Sequence, residues 1–213
     1  MTEADVRAAI VAVARAISET GLSPGLSGNV SARWKKGMLI TPSALPYDQM
    51  TAADIVAIAA DGKVANSKQK PSTEWRFHLA ALKARPGKHA VVHTHSLNAT
   101  VLACAGKPIP AFHYMVAVAG GTDIPLVPYA LFGTETLAEH VTAGLSERDA
   151  CLLANHGQIA LGATLDSALD LAREVETLAE QYVNVLKIGK PRILNETAMA
   201  EVLDQFKGYG RSA

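Results

Sequence analysis

His93 and His95 stand two residues apart, just after the apolar run Ala90-Val91-Val92. On a strand, side chains at i and i+2 leave the same face. The two imidazoles would then project side by side from a rigid base, as ligands of a transition metal do. An isolated pair of this kind is more often one surface and one core histidine, so two other residues decide the reading. His156 sits at the break Asn155-His156-Gly157 between two apolar runs, a position at a sheet edge. Glu74 falls in the first turn of a predicted helix, where the macrodipole favours an acid and would by itself explain it. Taken together, three imidazoles and one carboxylate form a four-ligand set suited to Zn2+, with Mn2+ or Co2+ as alternatives. The carboxylate is the ligand most readily released, and once released it can act as a base. His78, His89, His113 and His140 have no comparable setting and read as helix-face, loop or packing residues.

An anion site adjoins Glu74. Ser72 and Thr73 offer hydroxyls and free backbone N–H groups at a helix start. The glycine-rich loop GLSPGLSGN, carrying Gly28 and Asn29, can add donors, as can Ser43 after Thr41-Pro42. Singly, each is ordinary capping or turn chemistry. Beside Glu74 they would place a phosphate next to the metal.

These residues need a scaffold. Val6, Ile10, Val13, Ala14 and Ile17 recur at helical spacing, closed by Gly21. VSARW and MLITP predict strands around Lys35-Lys36-Gly37, and AIAA and KVA a second hairpin across Asp61-Gly62. Ser72 predicts an N-cap for a helix through EWRFHLAALKA. AVVHTH reads as a strand, the Pro-rich stretch 107–134 as irregular with short strands around IPLVPY, and 150–154 and 158–161 as strands flanking His156. Thr164 opens a long helix whose apolar face runs from Leu165 to Leu186. No repeat or low-complexity linker divides the chain, so one α/β domain over residues 1–213 is expected.

Composition narrows the function. The sequence has 213 residues, 49% of them hydrophobic and 19% charged, with 20 Lys+Arg against 20 Asp+Glu. That balance suits a compact globular domain and gives no reason to expect nucleic acid or an anionic membrane as partner. Cys104 and Cys151 lie in apolar stretches and read as two small core residues of a cytoplasmic protein rather than a disulfide. The run AAIVAVARAI is short and broken by Arg15, so it reads as neither signal peptide nor span.

The segments GNVSAR, MLITPSALPY, KPSTEWRFH, AVVHTHS, IPAFHYMVAVAGG, PYALFGT, LLANHGQIALG and FKGYG extend from Gly25 to Gly210. Together they resemble the class II aldolase/adducin family, and within it the branch of L-fuculose-1-phosphate aldolases. The resemblance implies a three-layer α/β/α sandwich around a mixed, mostly antiparallel sheet. It also implies a cyclic homotetramer with active sites between subunits. It carries the zinc ligands to His93, His95 and His156, with Glu74 as resting ligand and catalytic base. It carries phosphate binding to Gly28, Asn29, Ser43, Ala44, Ser72 and Thr73. Tyr114 matches a tyrosine that donates a proton in a neighbouring subunit's site, and Phe132, Phe206 and Tyr209 match aromatics near the aldehyde. Ala44 stands where the fuculose branch has glycine, Thr73 where it has serine, and Asn155 where it has histidine.

The expected reaction is cleavage of a ketose 1-phosphate to dihydroxyacetone phosphate and a small aldehyde, through a metal-stabilised enediolate. L-Fuculose 1-phosphate and 5-deoxy- or 5-methylthio-pentulose 1-phosphates are the candidate substrates. A pentulose-phosphate 4-epimerase and a sugar-acid phosphate decarboxylase or dehydratase are alternatives on the same scaffold, and FKGYG and FHYM favour the aldolase. A non-enzymatic adducin-like module would be marked by loss of the metal ligands, and all four are present.

Overall fold

The computed structural model describes residues 1–208. Its centre is a seven-stranded sheet. In chain order the strands are β1 (Asn29–Trp34), β2 (Gly37–Ile40), β3 (Val56–Ile58), β4 (Ala90–Thr94), β5 (Leu126–Val127), β6 (Ala150–Leu153) and β7 (Gly157–Gly162). They lie side by side as β3-β2-β1-β4-β7-β6-β5. Every pairing is antiparallel except β5 with β6, which is parallel. The helices are α1 (Glu3–Glu19), α2 (Trp75–Ala84), α3 (Leu97–Cys104), α4 (Glu135–Gly144), α5 (Leu165–Ile188) and α6 (Glu196–Gly208).

The period-two rule of strands explains the layering. Val92 of β4, Ala160 of β7 and Leu39 of β2 join a core with α1, α3 and α5. Their neighbours Val91, Ile159 and Met38 point the other way, into a core with α2 and α4. The result is the expected three-layer sandwich around a mixed, mostly antiparallel sheet. A third, small cluster seats Met199 of α6 on Ala111 and Ala117, beside the 3-10 helix Tyr114–Ala119.

Several expectations change. The second hairpin is reduced to a single bridge, Ile58 with Val64. The cap of α2 is Glu74, not Ser72: the chain turns once more before the helix starts, and the Ser72 hydroxyl accepts the Glu74 N–H at 3.3 Å. Cys151 is buried, but Cys104 is exposed at the end of α3, because the inner face of that helix is already filled by Ala99, Leu102 and Ala103. No helix is long and apolar enough to cross a membrane among the described residues.

Candidate metal centre

β4 is a central strand, paired with β1 on one side and β7 on the other. His93, on its penultimate residue, is fully buried. His95 lies one residue past the strand end, where its N–H is held by the Ser23 hydroxyl at 3.1 Å. His156 is supplied by the β6–β7 turn. That turn needs Asn155 at φ 56, a left-handed conformation that asparagine tolerates better than most residues. It also needs Gly157, since a Cβ there would lie 2.4 Å from the Thr94 carbonyl and 3.0 Å from the His95 ring. Glu74 comes from the opposite layer, at the start of α2.

These elements bring the four side chains into one cluster, with ligand atoms all within 4.8 Å of one another. His93 Nε2 is 3.0 Å from His95 Nε2 and 3.3 Å from Glu74 Oε2. His156 Nε2 is 3.0 Å from Glu74 Oε1. The three rings stand nearly perpendicular to one another, at 73–78°.

The donor set fits a divalent cation. His93 Nδ1 faces the Gln158 carbonyl at 2.8 Å and must donate to it, which leaves the Nε2 lone pair for the centre. Burial, helped by the charges on His93 and His156, pushes His95 down to about 3, so its imidazole is neutral and keeps a lone pair for a metal. Glu74 Oε1 is buried, and the group that faces it is His156 Nε2, at 3.0 Å. Burial would raise the Glu74 carboxyl, but while no metal is held, the positive charge at His93 and the His156 and His93 rings beside it outweigh burial. They hold it well below the usual carboxylate range. Three nitrogen ligands and one anionic oxygen around a common point are a zinc-type shell.

The ligands open onto a cavity of about 360 Å³. Gly28, Asn29, Ser43, Ala44, Ser72 and Thr73 all line it, beside Glu74, His95 and His156. Two backbone groups expected as donors are already taken: Ser72 N–H by the Thr41 carbonyl and Ser43 N–H by that of Lys70. The hydroxyls of Ser43, Ser72 and Thr73 and the backbone N–H groups of Gly28, Ala44 and Thr73 are not taken in this way. Ala44 sits at φ 57, so the glycine of the fuculose branch answers a backbone requirement that this chain meets with strain. A Cβ on Gly28, at φ 91, would lie 2.8 Å from the His93 carbonyl. Phe132 lines the same cavity. Tyr114 and Phe206 instead line a different cavity together, against Leu194 and Val202. Tyr209 lies outside the described residues.

Some partners of this site escaped the sequence. His78, read as a packing residue, is fully buried behind the ligands and bonded to Asn29 and Ser31. Its place four residues after Glu74 was the available signal. Gln158 ties the Ser96 hydroxyl to the Ala172 carbonyl of α5 while its own carbonyl orients His93. The Tyr47 hydroxyl donates to the Gly28 carbonyl at 2.6 Å, pinning the glycine loop.

Burial, with the nearby charge of His93, pushes His78 down to about 3 from 6.5. A depressed histidine binds its proton in the unfolded chain first. Stability is therefore complete above pH 6.5 and is lost as pH falls toward 3. In urea titrations of metal-free protein, His78→Gln is expected to flatten this acid slope by about one proton, or ~1.4 kcal/mol per pH unit. An unchanged slope would place the titration elsewhere.

Residues 8–183 match the family model of the class II aldolase and adducin N-terminal domain. A 5-methylthioribulose-1-phosphate/5-deoxyribulose-1-phosphate aldolase of Rhodospirillum rubrum is 50% identical over 208 residues, covering 98% of this chain and 94% of that protein. An L-fuculose phosphate aldolase of Escherichia coli O6:H1 is 49% identical over 195 residues, covering 91% and 90%. A solved structure of an L-fuculose 1-phosphate aldolase superposes with a TM-score of 0.92 at 36% identity, covering 95% of this chain and 96% of that one. With its fold, its metal-binding tetrad and its sequence in agreement, the chain belongs to the class II aldolase and adducin family.

Proposed function

We propose that this chain is a zinc-dependent aldolase. It cleaves a ketose 1-phosphate to dihydroxyacetone phosphate and a small aldehyde. One observation carries the reading: Glu74, clustered with His93, His95 and His156, shares a wall of one cavity with Ser43, Ser72 and Thr73. A metal bound by His93, His95, His156 and Glu74 supplies Lewis acidity toward the substrate's carbonyl and neighbouring hydroxyl oxygens.

The protein's own groups do the rest. The hydroxyl cradle holds the phosphate and fixes the reacting carbons by remote binding energy. Tyr114, reaching in from a neighbouring subunit of a homotetramer, takes the proton of the C4 hydroxyl. The C3–C4 bond breaks, its electron pair stays on C3, and C4 becomes the aldehyde. As Tyr114 takes the C4 proton it passes one on to solvent, and Glu74 takes one up from solvent and delivers it to C3, so the proton lost at the C4 oxygen is replaced at C3. The apolar cavity lining of Leu26, Tyr129, Ala130 and Phe132 suits an aldehyde with a methyl or methylthio end. The exposed side chains of Leu97, Tyr114, Leu131 and Ile188 suit subunit contacts.

The test is a panel of ketose 1-phosphates with the protein reconstituted in turn with zinc, manganese or cobalt. Release of dihydroxyacetone phosphate is scored before and after chelation. The expected result is metal-dependent release from a 5-deoxy- or 5-methylthio-pentulose 1-phosphate or from L-fuculose 1-phosphate. Interconversion of pentulose phosphates without fragment release would make the protein an epimerase instead.

A further inference from the structure

Glu74 is anchored from behind as well as from the metal side. Its Oε2 accepts from Asn29 Nδ2 at 2.8 Å. Asn29 Oδ1 meets His78 Nε2 at 2.5 Å, and His78 Nδ1 meets the Ser31 hydroxyl at 2.8 Å. All four side chains are buried, Ser31 and His78 completely. Asn29 and Ser31 are alternate residues of β1 and so share one face. His78 is on the inner side of α2, stacked on Phe77.

The chemistry of the groups fixes the direction of every bond. An ionised carboxylate only accepts, so Asn29 must turn its NH2 toward Glu74. Its carbonyl oxygen then faces His78, which must carry its proton on Nε2. His78 Nδ1 is left as an acceptor, and the Ser31 hydroxyl donates to it. With the amide reversed, Asn29 Oδ1 would face the Glu74 carboxylate and its NH2 would face the proton on His78, two conflicts in a buried site. A leucine at 78 would remove this constraint and leave Asn29 Oδ1 unsatisfied. His78 does not line the cavity, so it touches neither substrate nor reacting atoms.

We propose that Ser31 and His78 are positioning residues: they lock the orientation of the Asn29 amide, which clamps Glu74 by Oε2 and leaves Oε1 as the oxygen that carries the proton. The assignment of Oε1 rests on the aldolase reading above, whereas the locked amide does not. The same lock explains why an asparagine lining the phosphate end of the cavity has one remaining N–H, and no more, to offer a ligand.

Three variants of the zinc protein separate this role from plain packing. His78→Leu removes the donor, His78→Gln keeps an N–H for Asn29 Oδ1, and Ser31→Ala removes the bond that fixes the tautomer. At saturating zinc, His78→Leu is expected to lower proton exchange into dihydroxyacetone phosphate about ten-fold with KM unchanged, and to weaken zinc binding about ten-fold. His78→Gln should restore both to near the parent values, and Ser31→Ala should fall between. Histidine 15N spectra of the unmutated zinc protein should show His78 neutral, with its proton on Nε2, from pH 5 to 8. A proton on Nδ1, or a His78→Leu protein with parental exchange and zinc affinity, overturns the proposal. Should His78→Leu fail to fold, the tautomer and the Ser31→Ala values decide it. If the unmutated protein exchanges no proton with dihydroxyacetone phosphate, the aldolase reading falls and the Oε1 assignment falls with it. Zinc affinity and the tautomer then judge the lock alone.

Discussion

Glu74→Gln is expected to keep its zinc and lose its turnover. The three imidazoles remain, each still oriented as before: His93 by the Gln158 carbonyl, His95 by the Ser23 hydroxyl acting on its N–H, and His156 by the β6–β7 turn. Three nitrogens suffice to retain zinc, with lower affinity than the full shell. The amide has nearly the shape of the carboxylate and can still accept from Asn29 Nδ2. It cannot take or return a proton at C3, however. Loss of a general acid–base group typically costs on the order of a hundred-fold to ten-thousand-fold. The clean readout is hydrogen exchange at C3 of dihydroxyacetone phosphate, which needs Glu74 and not the aldehyde side. Exchange at the parental rate in a zinc-loaded Glu74→Gln protein would place the base elsewhere. Loss of zinc with loss of exchange would mean that the carboxylate's main part is ligation.

The places of His93 and His156 were legible in the sequence because each sits where local structure is strongly coded. His93 follows an apolar run that ends in two β-branched valines on a central strand, and His156 sits at an Asn-His-Gly turn, which only a few residue types can make. What could not be read is whatever depends on two distant elements meeting. Ser31 on β1 and His78 on α2 look like a strand serine and a helix-face histidine until the two layers close on each other. The same limit applies to helices. α5 repeats its apolar face over 24 residues and was plain, whereas α3 has only eight residues, and its apolar ones fall on both its inner and its outer side. Leu97 and Val101 are exposed on it, so no 3.6-residue stripe exists to be seen. α4 is short and follows a Pro-rich stretch. Its cap at Thr134, which accepts the Leu137 N–H at 3.3 Å, is the clearest mark it carries.

Tyr114→Phe should separate two halves of the reaction that Glu74→Gln would stop together. Within one chain, Tyr114 lines a cavity against α6, apart from the cavity that holds the metal ligands. It is 49% exposed, and its ring stacks on His113 at 4.9 Å. If the hydroxyl serves a neighbour's site, removing it leaves the stacking intact and deletes only the group that handles the C4 proton. Cleavage should then fall on the order of a hundred-fold or more, while exchange at C3 continues, because that step needs only the metal and Glu74. Equal loss of both would point to damaged metal or phosphate binding, and no loss of either would return Tyr114 to packing. The trans arrangement has its own test. Glu74→Gln and Tyr114→Phe proteins, each nearly inactive, are unfolded together and reassembled as mixed oligomers. If Glu74 and Tyr114 reach one site from different chains, some mixed sites contain both intact groups, and cleavage recovers. If both groups act within one chain, no chain in the mixture carries the complete pair, and reassembly recovers nothing.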